Sequence, residues 1–319
     1  MPSRTHAHVP APGPLARARL LAAPTVDASV VRELERITGR PVHRASSGTT
    51  PREPFVHVGA TLPDALRCGS LLWFHSVNAG TDALLAAGPW PSGALLTRTV
   101  GRMGERIAQY VLAWVLADCQ SVPEFAAQHA RAEWRRIPSE LAAGRTALIY
   151  GTGRIGSAVA ALLRGCGIRT VGVARGTRTA AGFDRVVGAG EDAGPLASAR
   201  WVVSTLPLTT GTDGFFGPDR FAGMNGATFI NVGRGRTVDM RALEAALRSG
   251  AVGRAVLDVL PEEPPSPGDP CWRLPRTVIT SHSAGITADE DIVTDFAACW
   301  DAVAEGRVPD TAVDVGRGY

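Results

Sequence analysis

Ala147-Leu148-Ile149-Tyr150-Gly151-Thr152-Gly153-Arg154-Ile155-Gly156 is the stretch that decides the fold. Four residues of strand character run into glycines at the first, third and sixth positions of a six-residue turn, and a helical pattern follows. Thirty-six glycines in the chain make the spacing weak by itself; between a strand and a helix it is specific. Gly151 permits a tight turn, Gly153 lets backbone approach a pyrophosphate, and Gly156 allows close packing of helix on strand. Arg154 and Ile155 open the helix, whose free N–H groups and positive dipole end would hold phosphate.

Downstream, the rhythm is strand then helix. Thr146–Tyr150, Thr170–Val173, Trp201–Thr205, Thr228–Val232, Ala255–Val259 and Val278–Thr280 are near-continuous apolar runs, the mark of a parallel sheet covered on both faces. Upstream, strands at Arg19–Ala23, Phe55–Val58, Leu71–His75 and Ala94–Thr97 alternate with helical runs at Ala28–Ile37 and Asp82–Ala87. Between the two sets the helical spacing of Ile107, Val111, Leu112 and Val115 predicts one long amphipathic helix from Met103 to about Trp134. The run Asp289–Ala304 lies beyond the last strand and is expected to cross back to the first unit. The predicted class is α/β: a doubly wound parallel sheet of Rossmann type inserted into a second, flavodoxin-like α/β substrate domain. The expected boundaries are 1–97 with 288–319 for the substrate-binding domain and 98–287 for the dinucleotide-binding domain. Residues 98–139 form the connecting and dimerisation region, and the first 15 or so residues read as a loose tail.

Composition removes several classes. All 33 basic residues are arginine and there is no lysine, so Schiff-base chemistry, pyridoxal phosphate anchoring and the P-loop lysine are excluded. A net charge of +3 gives no footprint for nucleic acid or an anionic membrane. No run reaches the ~18 apolar residues of a membrane span. Five scattered cysteines without a CxxC pair fit neither a disulfide framework nor a zinc site, so no metal is expected and the cytoplasm is the expected compartment.

The second strand of the inserted domain ends in Ala174-Arg175-Gly176-Thr177-Arg178. An NAD-specific domain carries a carboxylate about 20 residues after the glycine turn to bind the ribose hydroxyls. None stands here, and Arg175 could instead grip a 2′-phosphate with paired charge-assisted bonds. NADP(H) is therefore the expected cofactor, with NAD(H) as the alternative.

Three later strand ends carry polar residues: Asn231-Val232-Gly233-Arg234-Gly235, then Asp258-Val259-Leu260-Pro261-Glu262-Glu263-Pro264, then Thr280-Ser281-His282-Ser283-Ala284-Gly285. In this order they resemble the D-2-isomer-specific 2-hydroxyacid dehydrogenases, in particular the glyoxylate/hydroxypyruvate reductase branch. That family reads Asn-x-x-Arg-Gly, Asp-Val-Phe-x-x-Glu-Pro and Thr-Pro-His. Leu206-Pro207-Leu208-Thr209 with Thr212 and Gly214 resembles its loop over the adenosine. Ala79-Gly80-Thr81-Asp82 resembles its Gly-Val-Asp turn, and Ala108-Gln109-Tyr110-Val111 its Ala-Glu-Tyr-Val helix. The resemblance covers roughly residues 70 to 290. Ser281 replaces the family's proline, which predicts a looser turn; Leu260 and Gln109 replace its phenylalanine and glutamate.

The resemblance implies roles that the reduction of a 2-oxo acid also demands. Arg234 would clamp the substrate's carboxylate and carbonyl oxygen, and His282 would donate the proton. Glu263, chosen over Glu262 by its spacing from Asp258, would pair with His282 and favour the imidazolium. Backbone N–H groups at Ala79 and Gly80 would hold the carboxylate. Leu206, Pro207, Thr212, Val232, Asp258 and Gly285 would join the glycine turn and Arg175 in binding the cofactor, with Asp258 by the carboxamide. A homodimer is implied, with Trp134 reaching the neighbouring subunit's site. Two alternatives stay open: a dedicated biosynthetic reductase of a bulkier or phosphonate-bearing 2-oxo acid, and a non-catalytic NADP(H)-binding sensor or scaffold.

Overall fold

The structure, a computed structural model, describes residues 8–46, 51–176 and 179–317. It divides into two compact units, Met1–Met103 with Thr287–Tyr319, and Gly104–Ile286.

The first unit runs α1 (Pro12–Arg17), β1 (Arg19–Ala22), α2 (Ala28–Thr38), β2 (Val42–Arg44), β3 (Phe55–Gly59), β4 (Leu71–Ser76), α3 (Asp82–Ala86) and β5 (Leu95–Arg98). Its five strands are parallel in the order β2-β1-β3-β4-β5, the flavodoxin-like order. Strand alternation builds two cores: Val56, Val58 and Trp73 face α2, while Phe55, Phe74 and Leu96 face Leu84 of α3. Asp27 caps α2 by accepting the Ser29 amide at 2.7 Å, and Gly39 closes the helix in the left-handed region.

Two features depart from the expectation. Within the described residues the segment before β1 is packed and not loose: Val9 and Leu15, the latter on α1, join the first core; residues 1–7 of the expected tail lie outside the described residues. The strand β2 is absent from the predicted set, because a three-residue edge strand with its His and Arg exposed leaves no apolar run to read.

The second unit takes in α4 (Met103–Cys119) from its second residue, and then α5 (Val122–Ala130). These replace the single predicted helix. Ser121 sits in the left-handed region at φ 51°, and Pro123 lacks the N–H that an unbroken helix would need, so the chain starts afresh there. Trp134 lies past the end of α5 and outside any helix.

Then follow β6 (Thr146–Tyr150), α6 (Arg154–Gly165), β7 (Arg169–Ala174), β8 (Arg185–Gly188), α7 (Ala193–Ser198), β9 (Trp201–Ser204), α8 (Pro218–Ala222), β10 (Ala227–Asn231), α9 (Met240–Ser249), β11 (Val252–Leu257) and β12 (Thr277–Ile279). The seven strands are parallel in the order β12-β11-β10-β9-β6-β7-β8. Chain direction across the sheet reverses between β6 and β9, and a doubly wound sheet opens its ligand crevice at the strand carboxyl ends beside that switch point. Like β2, β8 is a short edge strand without a legible apolar run. Leu148, Val202, Phe229, Leu243 and Leu257 form the core of one face, and Val159, Ala160 and Leu163 of α6 are buried.

The chain closes with α10 (Asp289–Ala304) in the first unit, where Phe296 stacks on Trp73 with ring centres 5.2 Å apart. Among the described residues no helix is long and apolar enough to cross a membrane, and no cluster of three or more His, Cys, Asp or Glu could hold a metal ion.

Candidate active site

The glycine turn joins β6 to α6, with Gly153 at the helix N-cap. Close approach explains Gly156: a Cβ there would stand 1.9 Å from the carbonyl oxygen of Gly151. Gly153 is the opposite case, since a Cβ on it would meet nothing within 4 Å and would project into open space over the helix start. That bare cradle under unsatisfied helix amides fits a pyrophosphate. Arg154 and Ile155 are the first two residues of α6. Arg175 is exposed one residue past the end of β7; Arg178 lies outside the described residues. Thr212 closes the Leu206–Thr212 loop by donating to the Pro207 carbonyl at 2.6 Å and accepting the Thr209 amide at 2.8 Å.

Arg234 follows β10. Asn231, fully buried at the strand end, accepts the Gly233 amide at 3.1 Å and donates to the Arg234 carbonyl at 3.1 Å. Thr237 donates its hydroxyl to the same carbonyl at 2.6 Å, so the Arg234 backbone is held from both sides. At Gly235 a Cβ would come 1.9 Å from the carbonyl carbon of Leu260. The arginine loop is thus packed directly on the loop that carries Glu263.

Glu263 bridges two groups. One carboxylate oxygen accepts the Leu260 amide at 2.7 Å, and the other lies 2.7 Å from Nδ1 of His282. It is Glu263 and not its neighbour Glu262 that meets the histidine. His282 is half-exposed, at 51%, and Glu263 at 35%. Val232 and Asp258 sit buried at the ends of β10 and β11, and Gly285 three residues after His282.

The turn at Ser281 is not loose. Ser281 and His282 have φ 57° and 55°, both left-handed, and the loop is tied to Asp258, whose backbone carbonyl accepts the His282 amide at 2.6 Å. The carboxylate of Asp258 accepts the Ser283 and Ala284 amides at 2.8 and 3.1 Å. Asp258, expected beside the cofactor, has these partners in the histidine loop. Sequence reasoning also missed Asn231, Thr237 and Thr280; the first and last are letters of the motifs themselves, and their signal was present.

Ala79 and Gly80 lie in the first unit, on the turn between β4 and α3. Arg98 of β5 donates to the Ala79 carbonyl at 3.1 Å and braces that turn. Trp134 is 99% exposed.

Residues 112–284 match the family model described as D-isomer specific 2-hydroxyacid dehydrogenase, NAD binding domain. The chain is 56% identical over 276 residues to the uncharacterized protein in the mprR 3′ region of Streptomyces coelicolor, covering 86% of this chain and 99% of that one. It is 31% identical over 258 residues to glyoxylate/hydroxypyruvate reductase A of Serratia proteamaculans (strain 568), covering 79% of this chain and 82% of the relative. Among solved structures, a D-isomer specific 2-hydroxyacid dehydrogenase from Xanthobacter autotrophicus Py2, in complex with NADPH and MES, superposes with a TM-score of 0.85. Identity there is 29%, over 95% of this chain and all of that one. With the family model spanning more than half its length, the chain is an enzyme of the D-isomer specific 2-hydroxyacid dehydrogenase family.

Proposed function

We propose that the protein is an NADP(H)-dependent reductase that converts a small 2-oxo acid of the glyoxylate or hydroxypyruvate kind into the D-2-hydroxy acid. The observation that carries this reading is the 2.7 Å contact between Glu263 and Nδ1 of His282, on a loop packed against that of Arg234. A binding protein has no need of that trio, which favours the enzyme over a sensor. With Nδ1 engaged, Nε2 is the nitrogen left to carry a proton to the substrate's oxygen as it becomes an alkoxide. Arg234 offers a planar fork of donors to the carboxylate and the carbonyl oxygen.

The cofactor would rest its pyrophosphate on the Gly151–Gly156 turn with Arg154 and Ile155, and its 2′-phosphate on Arg175. Leu206, Pro207 and Thr212 would cover the adenosine side; Val232, Asp258 and Gly285 would line the nicotinamide side. When bound, the reduced nicotinamide supplies the hydride. The NADPH held by the Xanthobacter relative supports the choice of phosphate-bearing cofactor.

The same proposal includes a homodimer. Trp134, Phe125 and Ile137 line a cavity of about 720 Å³ beside α5, and Trp134, Leu141 and Phe125 are exposed apolar side chains on that stretch. Apolar surface of this kind is covered by a second copy in an obligate dimer. Light scattering should give twice the chain mass, and Trp134→Ala should weaken association or raise KM.

The deciding experiment is an NADPH-oxidation screen over glyoxylate, hydroxypyruvate, pyruvate, phenylpyruvate and phosphonopyruvate. The proposal expects the highest kcat/KM on the first two. A preference for the last two would move the substrate to the bulky or phosphonate-bearing class, and no turnover on any would remove the reductase reading.

A further inference from the structure

The loop that carries His282 is wrapped around one carboxylate. Oδ1 of Asp258 accepts the Thr280 hydroxyl at 2.6 Å, the Ser283 amide at 2.8 Å and the Ala284 amide at 3.1 Å. Oδ2 shares the Ala284 amide at 3.1 Å. Successive backbone N–H groups turned onto one anion form a nest. The nest matters because the left-handed region crowds the Cβ of any residue with a side chain, and here Ser281 and His282 both occupy it. Asp258 is 4% exposed, so the charge that holds the turn is itself shielded from water.

A fourth group completes the unit from a distant helix. The phenol of Tyr110, on α4, lies 2.6 Å from the Thr280 hydroxyl oxygen. Thr280 has one hydroxyl hydrogen and Asp258, meeting three donors, can only accept. The threonine hydrogen is therefore committed to the carboxylate, and Tyr110 must donate to Thr280. Burial pushes the Tyr110 phenol up to about 12, so it keeps that hydrogen at neutral pH. The result is a one-way chain of donors, Tyr110 to Thr280 to Asp258, in which each bond polarises the next.

We propose that Tyr110 is a positioning residue for the reaction: acting through Thr280 and Asp258, it fixes the left-handed turn that presents the His282 ring. The inference rests on His282 being the proton donor. Nothing places Tyr110 on substrate or cofactor; its remaining neighbour of note is Trp114, whose ring meets it edge-on at 6.3 Å.

The test uses the full-length protein with Tyr110→Phe, Thr280→Val, Thr280→Ser and the Tyr110→Phe/Thr280→Val double variant. Tyr110→Phe removes one oxygen and keeps the ring. Its kcat should fall about tenfold, the upper range for one hydrogen bond, with KM for the 2-oxo acid and the NADPH dissociation constant within about twofold. Thr280→Val should do the same or more, the double variant should be no worse than Thr280→Val alone, and Thr280→Ser should restore most of the rate. In the cofactor-free protein, amide exchange at Ser283 and Ala284 should speed up in Tyr110→Phe while the amides of β11 hold their parent rates. Parent kcat in Tyr110→Phe, or multiplying effects in the double variant, or exchange that rises equally across the sheet, would each overturn the proposal. His282→Gln separates the two readings. If it is inactive while Tyr110→Phe is unimpaired, only the positioning role falls; if it turns over normally, the proton-donor reading falls and takes this one with it.

Discussion

Glu263 divides its carboxylate between Nδ1 of His282 and the backbone amide of Leu260, each at 2.7 Å. The amide fixes the carboxylate to its own loop, and the carboxylate fixes the ring. The imidazole is therefore oriented by a group that is itself held, which is the arrangement a general acid needs.

His282→Gln retains a donor of similar reach but has no proton to transfer, so kcat should drop by about 10²- to 10⁴-fold. NADPH binding, followed by fluorescence titration, should stay close to that of the parent because the glycine turn is untouched. Glu263→Gln keeps the acid and loses the charge that orients it, and its loss should be smaller. Near-parent turnover in His282→Gln would remove the proton-donor assignment.

Arg175 stands where an NAD-specific domain has its ribose-binding carboxylate. The parent should show higher kcat/KM with NADPH than with NADH. Arg175→Ala should erode that preference by raising KM for NADPH, while NADH use barely changes. A parent enzyme that works as well with NADH would refute the phosphate-binding role.

What was legible in the sequence follows a physical pattern. Most strands of the two sheets are legible because parallel strands covered on both faces must be apolar throughout, and the chemistry sits at their carboxyl ends in short contiguous motifs. Misreadings came where local rules compete. The spacing of Ile107, Val111 and Val115 carried the helical reading through Ser121 and Pro123, although proline alone announces the restart of the chain there. The edge strands at Val42–Arg44 and Arg185–Gly188 are three and four residues long and each carries an arginine, so neither makes an apolar run long enough to distinguish from loop. Tyr110 and Thr280 are 170 residues apart, and no spacing rule could pair them; only the folded sheet brings α4 against the end of β12.

Two buried histidines predict that the first unit loses stability in acid. Burial lowers His75 to about 3 and His57 to about 4, from an ordinary 6.5. His75 is held neutral between the hydroxyls of Thr97 and Thr99, at 2.7 and 3.1 Å. Below the unfolded value the unfolded chain takes up protons that the folded chain refuses, so stability falls as pH drops from about 6.5 toward 4. Each histidine contributes a slope of about 1.4 kcal/mol per pH unit within that window. Above it their contribution is fully present. Melting temperature measured across the window should decline, and His75→Gln, whatever its own cost, should decline less steeply. A parallel pH profile for the two proteins would count against this origin.

Ser281 offers the sharpest test of the histidine turn, because the substitution it needs is toward the residue of the family pattern it resembles. The Thr-Pro-His pattern places proline at this position, yet Ser281 has φ 57° and the proline ring locks φ near about −65°. Proline here must rotate the backbone by more than a right angle, and the amides of His282, Ser283 and Ala284 could not all remain on Asp258. Ser281→Pro should therefore lower kcat at least about tenfold, the rate equivalent of about 1.4 kcal/mol, with NADPH affinity kept. Ser281→Asn should retain most of the rate, since asparagine tolerates the left-handed region better than other residues with a side chain. The contrast between the two variants is the measurement: loss in both would assign the effect to the serine hydroxyl, and parent kcat in Ser281→Pro would show that the left-handed turn is not needed for turnover.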